Sequence, residues 1–259
     1  NLSVSLQESM GATWGEFVQA LNKTSQYLDT NGADVSKLTM DDLVGYKIDQ
    51  QLGILSPFNT LSVSTDIAVQ TTGLSLSVDR VYYGDVLSRT QKSVFGYGWT
   101  HNWDISLSVE SSGDVALNVA NMTIRFQPSY QGGYICSAGD AYSLKKNKNG
   151  TYSLTVGKGD GDVVYNFSSS GVLQKATDAN RNSINCSYDS AGRLTKLTHS
   201  NGEWVAYEYN SSGYVSQLTA SNGASTQYSY KDDNLTSVTD MLGDTLTYSY
   251  HSSQEHTLT

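Results

Sequence analysis

The sequence predicts a mostly β protein, an antiparallel meander of β-hairpins preceded by a small helical segment. Three observations carry that prediction: apolar and polar residues alternate with period two from Leu61 onward, turn residues separate those runs, and a 21-residue repeat begins at Phe167. The wealth of Ser, Thr, Asn, Gly and Tyr, with only two prolines, agrees with half-exposed sheet, where Thr and aromatic side chains fit the pleat.

Residues 1–58 differ from the rest. The opening NLSVSL alternates like a strand that could pair with a sheet edge in its own chain or a neighbour's. Trp14, Phe17, Val18, Leu21 and Leu28 recur at helical spacing and predict a helix from Ser9 to Leu28 with these side chains on one stripe. Asn31-Gly32 then turns the chain. Thr39-Met40-Asp41-Asp42 reads as a cap for a second short helix carrying Leu43, Val44, Ile48 and Leu52, which Gly53 stops before Pro57. Both helices are expected to pack on the sheet that follows, with assembly or docking as the other use of this segment.

Residues 59–166 form the next region. LSVSTDIAVQ, LSLSVDRVYY, WDISLSVE, DVALNVA, MTIRFQ, YSLTV and DVVYNF each alternate, with Gly, Asn, Asp and Ser between them. Antiparallel strands of this kind bury one face and wet the other, so a polar sequence still forms a core.

Residues 167–259 hold the repeat array. Phe167, Tyr188, Tyr209 and Tyr230 are 21 residues apart, and Tyr250 follows after 20. Gly171, Gly192 and Gly213 stand four residues behind the first three, with Asn234 in that place in the fourth copy; Leu173, Leu194, Val215 and Leu235 come next. Asn201-Gly202 and Asn222-Gly223 mark a second turn in each unit, and Leu242-Gly243 fills that slot later. Each unit is therefore two turns and two strands, with Gly or Asn where positive φ is needed. Tyr207 shares a face with Tyr209, as Tyr228 does with Tyr230 and Tyr248 with Tyr250, so tyrosines stack from unit to unit. Leu194 and Leu197 have opposite parity, which demands a bulge if both are buried. At roughly 20° of twist per strand, a sheet this long should curl.

Tyr188-Asp189-Ser190-Ala191-Gly192-Arg193-Leu194 resembles the YD repeat of Rhs-type proteins. STDIAVQTTGLSLSVDRVYYG followed by FGYGWTHNWDISLSV resembles the opening segment of the same family, in which TD, GL and R-x-Y precede FG-x-GW. The likeness runs from about Thr60 to Tyr250 and omits the first 58 residues. It implies a β-hairpin shell that spirals into a hollow cocoon in bacterial toxin members, and a similar barrel in the teneurin adhesion receptors. Four and a fraction repeats are too few to close such a cavity, and neither the Pro-x-x-Gly-type junction before toxin cleavage nor a toxin domain is found in the sequence. The chain is thus expected to be either the front of a longer protein or a short Rhs-like building block.

A net charge of −9 disfavours nucleic acid and anionic membranes as partners, since both reward clustered Lys and Arg. The compact basic run Lys145, Lys146 and Lys148 is expected in a turn, and no apolar stretch is long enough to span a membrane. Cys136 and Cys186 allow one disulfide or two buried thiols. Sequons at Asn1, Asn22, Asn121, Asn149, Asn166, Asn185, Asn210 and Asn234 point to N-glycosylation and an extracellular setting. His101 and Asp104 are near enough in sequence to form an acid–base pair, but the surrounding glycines, Trp99 and Trp103 read more simply as a packed corner. His199, His251 and His256 lack metal-ligand spacing, and Asp160-Gly161-Asp162 reads as a turn rather than a calcium site. No catalytic residue, cofactor or metal is selected. The expectation is a non-enzymatic extracellular structural or adhesive module that self-associates through strand edges or continues into further repeats. The alternatives are the N-terminal portion of a toxin-enclosing cocoon, and a polysaccharide-binding or polysaccharide-directed protein that holds sugar on exposed tyrosine rows.

Overall fold

The computed structural model describes residues 10–30, 35–52, 60–120, 122–129, 133–136, 141–157, 161–252 and 256–259. The NLSVSL strand, the Asn31-Gly32 turn, the Gly53 stop and Pro57 lie outside them. Helix α1 spans Trp14–Thr30. It starts later than the predicted Ser9 because Gly11 takes a φ of 83° and Thr13 then caps the helix: the Glu16 amide donates to Thr13 Oγ1 at 3.3 Å while Glu16 Oε2 accepts from the Thr13 amide at 3.0 Å. Helix α2 (Met40–Leu52) starts the same way, through Thr39 and Asp42. The predicted stripe on α1 needs correcting. Leu21, Thr24 and Leu28 are buried, but Trp14 and Val18 are exposed, because only the second half of α1 meets protein: Leu28 and Tyr46 pack with Leu87. Trp14 stacks on Phe17 instead, at 5.5 Å.

Strands β1 (Thr60–Val69) and β2 (Leu76–Tyr83) form a hairpin. A one-turn helix α3 (Val86–Arg89) follows, and its buried Arg89 is ion-paired with Asp42, tying the helical segment to the β region. A small hairpin of β3 (Lys92–Ser93) and β4 (Gly96–Tyr97) leads to β5 (Trp99–His101), which joins the free side of β2. Next, β6 (Ile105–Val109), β7 (Val115–Val119), β8 (Met122–Pro128) and β9 (Tyr134–Cys136) form a four-stranded antiparallel sheet.

The remaining strands run in sequence order through one 11-stranded antiparallel sheet. They are β10 (Tyr142–Lys146), β11 (Tyr152–Val156), β12 (Val163–Phe167), β13 (Leu173–Asp178), β14 (Ser183–Tyr188), β15 (Leu194–His199), β16 (Trp204–Tyr209), β17 (Val215–Ala220), β18 (Ser225–Lys231), β19 (Asn234–Asp240) and β20 (Thr245–Thr247). Lys145 and Lys146 end β10 rather than sitting in the turn, where only Lys148 remains, because Leu144 between them and Tyr142 is core. Two smaller sheets cover this long one. Ile67, Val69, Leu76, Val78, Tyr82 and Trp99 pack on Leu197, Val205, Leu218 and Leu235, and Leu107, Leu117 and Phe126 pack on Leu154, Phe167 and Leu173. Each fully buried side chain of this kind contributes about 1.5–3 kcal/mol. At Gly171 the two layers touch through backbone: the Leu107 amide donates to the Gly171 carbonyl at 2.8 Å, and a Cβ at Gly171 would lie 1.9 Å from the Leu107 oxygen.

The repeat has a specific bonding rule. In each of four hairpins the ladder slips by one residue beside the repeat aromatic, between Asn166 and Phe167, Ser187 and Tyr188, Glu208 and Tyr209, and Ser229 and Tyr230. These bulges bring Leu194 and Leu197 into one core despite their parity. The bulge interrupts regular pairing at the Leu position, and the tyrosine of the following unit supplies a donor there. Tyr188, Tyr209, Tyr230 and Tyr250 hydroxyls donate to the carbonyls of Leu173, Leu194, Val215 and Leu235 at 2.7, 2.7, 2.7 and 2.8 Å, each 15 residues back.

The turns are built by the residue after the tyrosine. Asp189 Oδ1 accepts from the Ala191 and Arg193 amides, and Asn210 Oδ1 from those of Ser212 and Tyr214. The fourth copy departs from the expectation. Asn234 does not replace the turn glycine; the turn is one residue shorter, positive φ falls on Asp232 and Asp233, and Lys231 pairs directly with Asn234. The Asp233 carbonyl of that turn accepts from the Tyr97 amide at 3.3 Å, and Lys92 reaches the Asp233 carboxylate at 3.0 Å.

Replacing Tyr209 by Phe should leave the fold intact and remove one inter-unit bond, lowering stability by about 1–2 kcal/mol. A thermal melt indistinguishable from the parent would show that the hydroxyl is dispensable.

Candidate functional site

The strongest concentration of polar chemistry lies where the β1–β2–β5 sheet meets β16–β19. It starts from a defect in β1. The β1–β2 ladder skips between Thr65 and Ile67, so Asp66 is the extra residue of a bulge and comes to the side of Arg80, which faces Ser64 in the ladder. Arg80 Nε and Nη2 donate to the two Asp66 oxygens at 2.7 and 3.0 Å, with the two side chains 0% and 1% exposed. Two-pronged pairing of this kind offsets the heavy cost of burying both charges.

The repeat sheet closes around the pair. Tyr228 donates its hydroxyl to Asp66 Oδ2 at 2.8 Å, Thr226 Oγ1 donates to the Asp66 carbonyl at 2.6 Å, and Arg80 Nη2 donates to the Tyr248 hydroxyl at 3.1 Å. The guanidinium lies 4.3 Å from the centre of the Trp99 ring. Trp99 Nε1 in turn donates to the Tyr250 hydroxyl at 3.0 Å, and Tyr82 donates its hydroxyl to the His256 carbonyl. Burial opposes the Arg80 cation, yet the Asp66 bonds and charge outweigh it and hold the guanidinium above its ordinary value. Burial pushes the Tyr228 hydroxyl well above the ordinary tyrosine range, with the Asp66 charge adding to it, so it stays a donor. The arrangement is a staple between two sheets.

His101 and Asp104 are brought near each other without forming a bonded pair. Asp104 Oδ2 accepts from Thr100 Oγ1 at 2.8 Å, and the Asp104 amide donates to the His101 carbonyl. Burial lowers the His101 pKa below 6.5, against smaller opposing effects of the Asp104 and Asp66 charges. His101 packs edge-on against Phe95 at 5.4 Å and lies 5.9 Å from Tyr207. The expected exposed tyrosine rows are not exposed. Tyr207 and Tyr228 are buried and Tyr188, Tyr209, Tyr230 and Tyr250 half-buried, because their hydroxyls serve the sheet and their rings the core.

Cys136 and Cys186 are not joined. Cys136 sits on β9 and Cys186 on β14, both half-buried against the second core, and burial pushes the Cys186 thiol up to about 12. Among the sequons, Asn1 and Asn121 lie outside the described residues. Asn22 on α1, Asn149 in the β10–β11 turn and Asn185 on β14 are exposed. Asn166 accepts from Ser153 Oγ, Asn210 builds its turn, and Asn234 bonds the His256 ring at 2.7 Å. His199 is buried and takes the Asn201 amide on Nδ1. Gly161 and Asp162 precede β12, Asp160 is outside the described residues, and no cluster of three potential metal ligands occurs among the described residues.

Comparison with known proteins places both sequence signatures. Residues 59–126 match a domain family of unknown function, DUF6531, and residues 188–227 match the family described as RHS Repeat. The chain carries the Rhs repeat. Its opening segment, including Asp66, Arg80 and Trp99, is the part matched by the first family, and the tyrosine-capped hairpins β14–β18 are the part matched by the second. No curated protein matches the chain. Among solved structures it is similar to TcdB2-TccC3 without the hypervariable C-terminal region (14% identity, TM-score 0.35, covering 74% of this chain and 11% of that one). It is also similar to TcdB2-TccC3-Cdc42 (15%, 0.34, 80% and 12%) and to the Photorhabdus luminescens Tc holotoxin pore (15%, 0.34, 71% and 11%). The Rhs-repeat chain therefore spans about a tenth of the length of these proteins.

Sequence reading quoted Asp66, Arg80 and Tyr82 within a family-like phrase and did not pair them. The available signal was an aspartate and an arginine 14 residues apart across a hairpin in a chain that is otherwise sparing with charge.

Two measurements check the electrostatics. Arg80→Met leaves Asp66 buried without its cation and should cost about 3–5 kcal/mol, while adding Asp66→Asn should restore part of the loss; equal melts for parent and single variant would refute the staple. Because the folded His101 pKa lies below its unfolded value, its contribution to stability is complete above about pH 6.5 and is lost as pH falls below it. His101→Phe should flatten the decline of unfolding free energy between roughly pH 6.5 and 5, followed by denaturant titration at each pH.

Proposed function

We propose that this chain is a non-enzymatic structural module, placed outside the cell, whose repeat sheet continues by strand addition at β20 into further YD repeats of a shell. The observation that carries this reading is the state of that edge. Strand β20 is last in the sheet, all three of its residues are exposed, and Met241, Leu242 and Leu246 beside it are exposed apolar side chains. A row of unpaired amides and carbonyls next to apolar surface is a template for another strand. The repeat rule supports the same reading, since each unit so far takes a tyrosine hydroxyl from its successor. In the staple, Asp66, Tyr228, Thr226, Trp99 and Tyr82 spend their polar groups on one another or on neighbouring backbone, which suits a fastening better than a reacting centre. The sequons support the extracellular placement.

A second reading, self-association into an adhesive layer, is favoured by the apolar face of α1, where Trp14 is 71% exposed. Sedimentation of the 259-residue chain separates the two. Weak association that Leu246→Lys reduces and Trp14→Glu leaves alone supports strand addition at β20; the opposite pattern supports the helical face. An intact mass of the native polypeptide well above 28.1 kDa is expected for the shell reading, and a value near 28.1 kDa would sink it.

A further inference from the structure

We infer that a cavity between the opening segment and the repeat sheet binds a neutral carbohydrate of one or two rings, anchored by a hydrogen bond to His101. The cavity encloses about 480 Å³, a size typical of small-molecule sites. Its walls come from both layers, with His101, Trp103 and Asp104 on one side and Tyr188, Arg193 and Tyr209 from successive repeats on the other.

The aromatic walls have already spent their polar atoms. Trp103 Nε1 donates to the Ser77 carbonyl at 2.7 Å, and the Tyr188 and Tyr209 hydroxyls cap the Leu173 and Leu194 carbonyls. What these side chains offer a ligand is ring carbon, the surface on which the C–H face of a pyranose packs. Arg193 is held by Asp189 at 2.7 Å and lies 4.5 Å from the centre of the Tyr209 ring, so its charge is compensated and does not call for an anion. Asp104 is exposed and spends Oδ2 on Thr100, which leaves Oδ1 as an acceptor for a ligand hydroxyl and repels anionic ligands.

The anchor is the polar atom left over. His101 is 5% exposed, and its Nδ1 has no hydrogen-bond partner among the described residues. Buried polar atoms are as a rule satisfied, so an orphaned one beside a cavity points to a bound group. Burial keeps the imidazole neutral, with one nitrogen donating and the other accepting. A hydroxyl can play either part and so fits Nδ1 in both tautomers. Hydroxyls arranged around an apolar ring describe a carbohydrate.

The test uses the whole 259-residue chain with cellobiose, maltose, lactose and diacetylchitobiose at millimolar concentration, read by saturation-transfer NMR and titration calorimetry. Saturable binding of at least one is expected. Ser212→Trp, at an exposed position that lines the cavity, and His101→Phe, which keeps a ring against Phe95 and Tyr207, should each weaken it by about tenfold or more. Circular dichroism melts verify that both variants fold. The hexasaccharide of whichever sugar binds distinguishes a free sugar from the end of a polymer: loss of affinity marks the former and equal affinity the latter, and both support the site. Absence of binding by all four sugars would overturn the proposal and leave the cavity to water. Binding that Ser212→Trp leaves unchanged would place the sugar elsewhere and overturn it as well.

Discussion

The hydrogen bond from each repeat tyrosine to a carbonyl in the preceding hairpin is the interaction on which the rest of this structure depends. A long antiparallel sheet built from short strands has weakly specified register. A bulge at a fixed place in each hairpin pins that register, and the tyrosine uses the bulge as a socket. Because the ring passes through the inner face to reach its acceptor, the same residue supplies core volume and a polar contact. This is why a chain with so few charged residues and so many tyrosines still encloses a dense interior.

The inner face so created is amphipathic, and the opening segment is built to match it. Apolar β2 residues meet the aliphatic rows of β15–β19, while the Asp66–Arg80 pair meets the tyrosine hydroxyls. Burying an ion pair is weak evidence for stability, since apolar residues could fill the same space. Its contribution here is orientation: two charges that must each find specific oxygen partners allow the small sheet to sit in one place. The second layer uses a different device, the close backbone approach of Leu107 to Gly171, which any side chain at Gly171 would prevent.

Much of the fold was legible in the sequence. Alternation located β1, β2, β6–β8, β11 and β12, and the repeat located β13–β20, because in both cases the pattern outlasts the noise of single residues. The bulge was legible from the parity of Leu194 and Leu197 alone. Strands β3–β5 and β9 are two or three residues long and hold no periodicity to read. The stripe on α1 failed because helical spacing says which residues share a face and not how far along the helix a neighbour reaches. The staple was hidden for another reason. Asp66 reaches Arg80 only through a bulge, and its partners Tyr228 and Tyr248 lie more than 160 residues away in an array whose copies look alike.

That likeness sets a problem of address. A sheet of near-identical hairpins offers the opening segment several berths, each displaced by one unit and each lined by the same leucines and tyrosines. Three of the repeat turns are of one length, and the fourth, at Asp232 and Asp233, is shorter. It is this turn whose carbonyl receives the Tyr97 amide and whose carboxylate meets Lys92, and Gly96 approaches it so closely that a Cβ would lie 2.6 Å from the Asp233 oxygen. A one-residue deletion that looks like decay of the repeat thus acts as a key cut into one of several otherwise interchangeable locks. Irregularity in a repetitive protein can carry positional information that the repeat, by its own symmetry, is unable to hold.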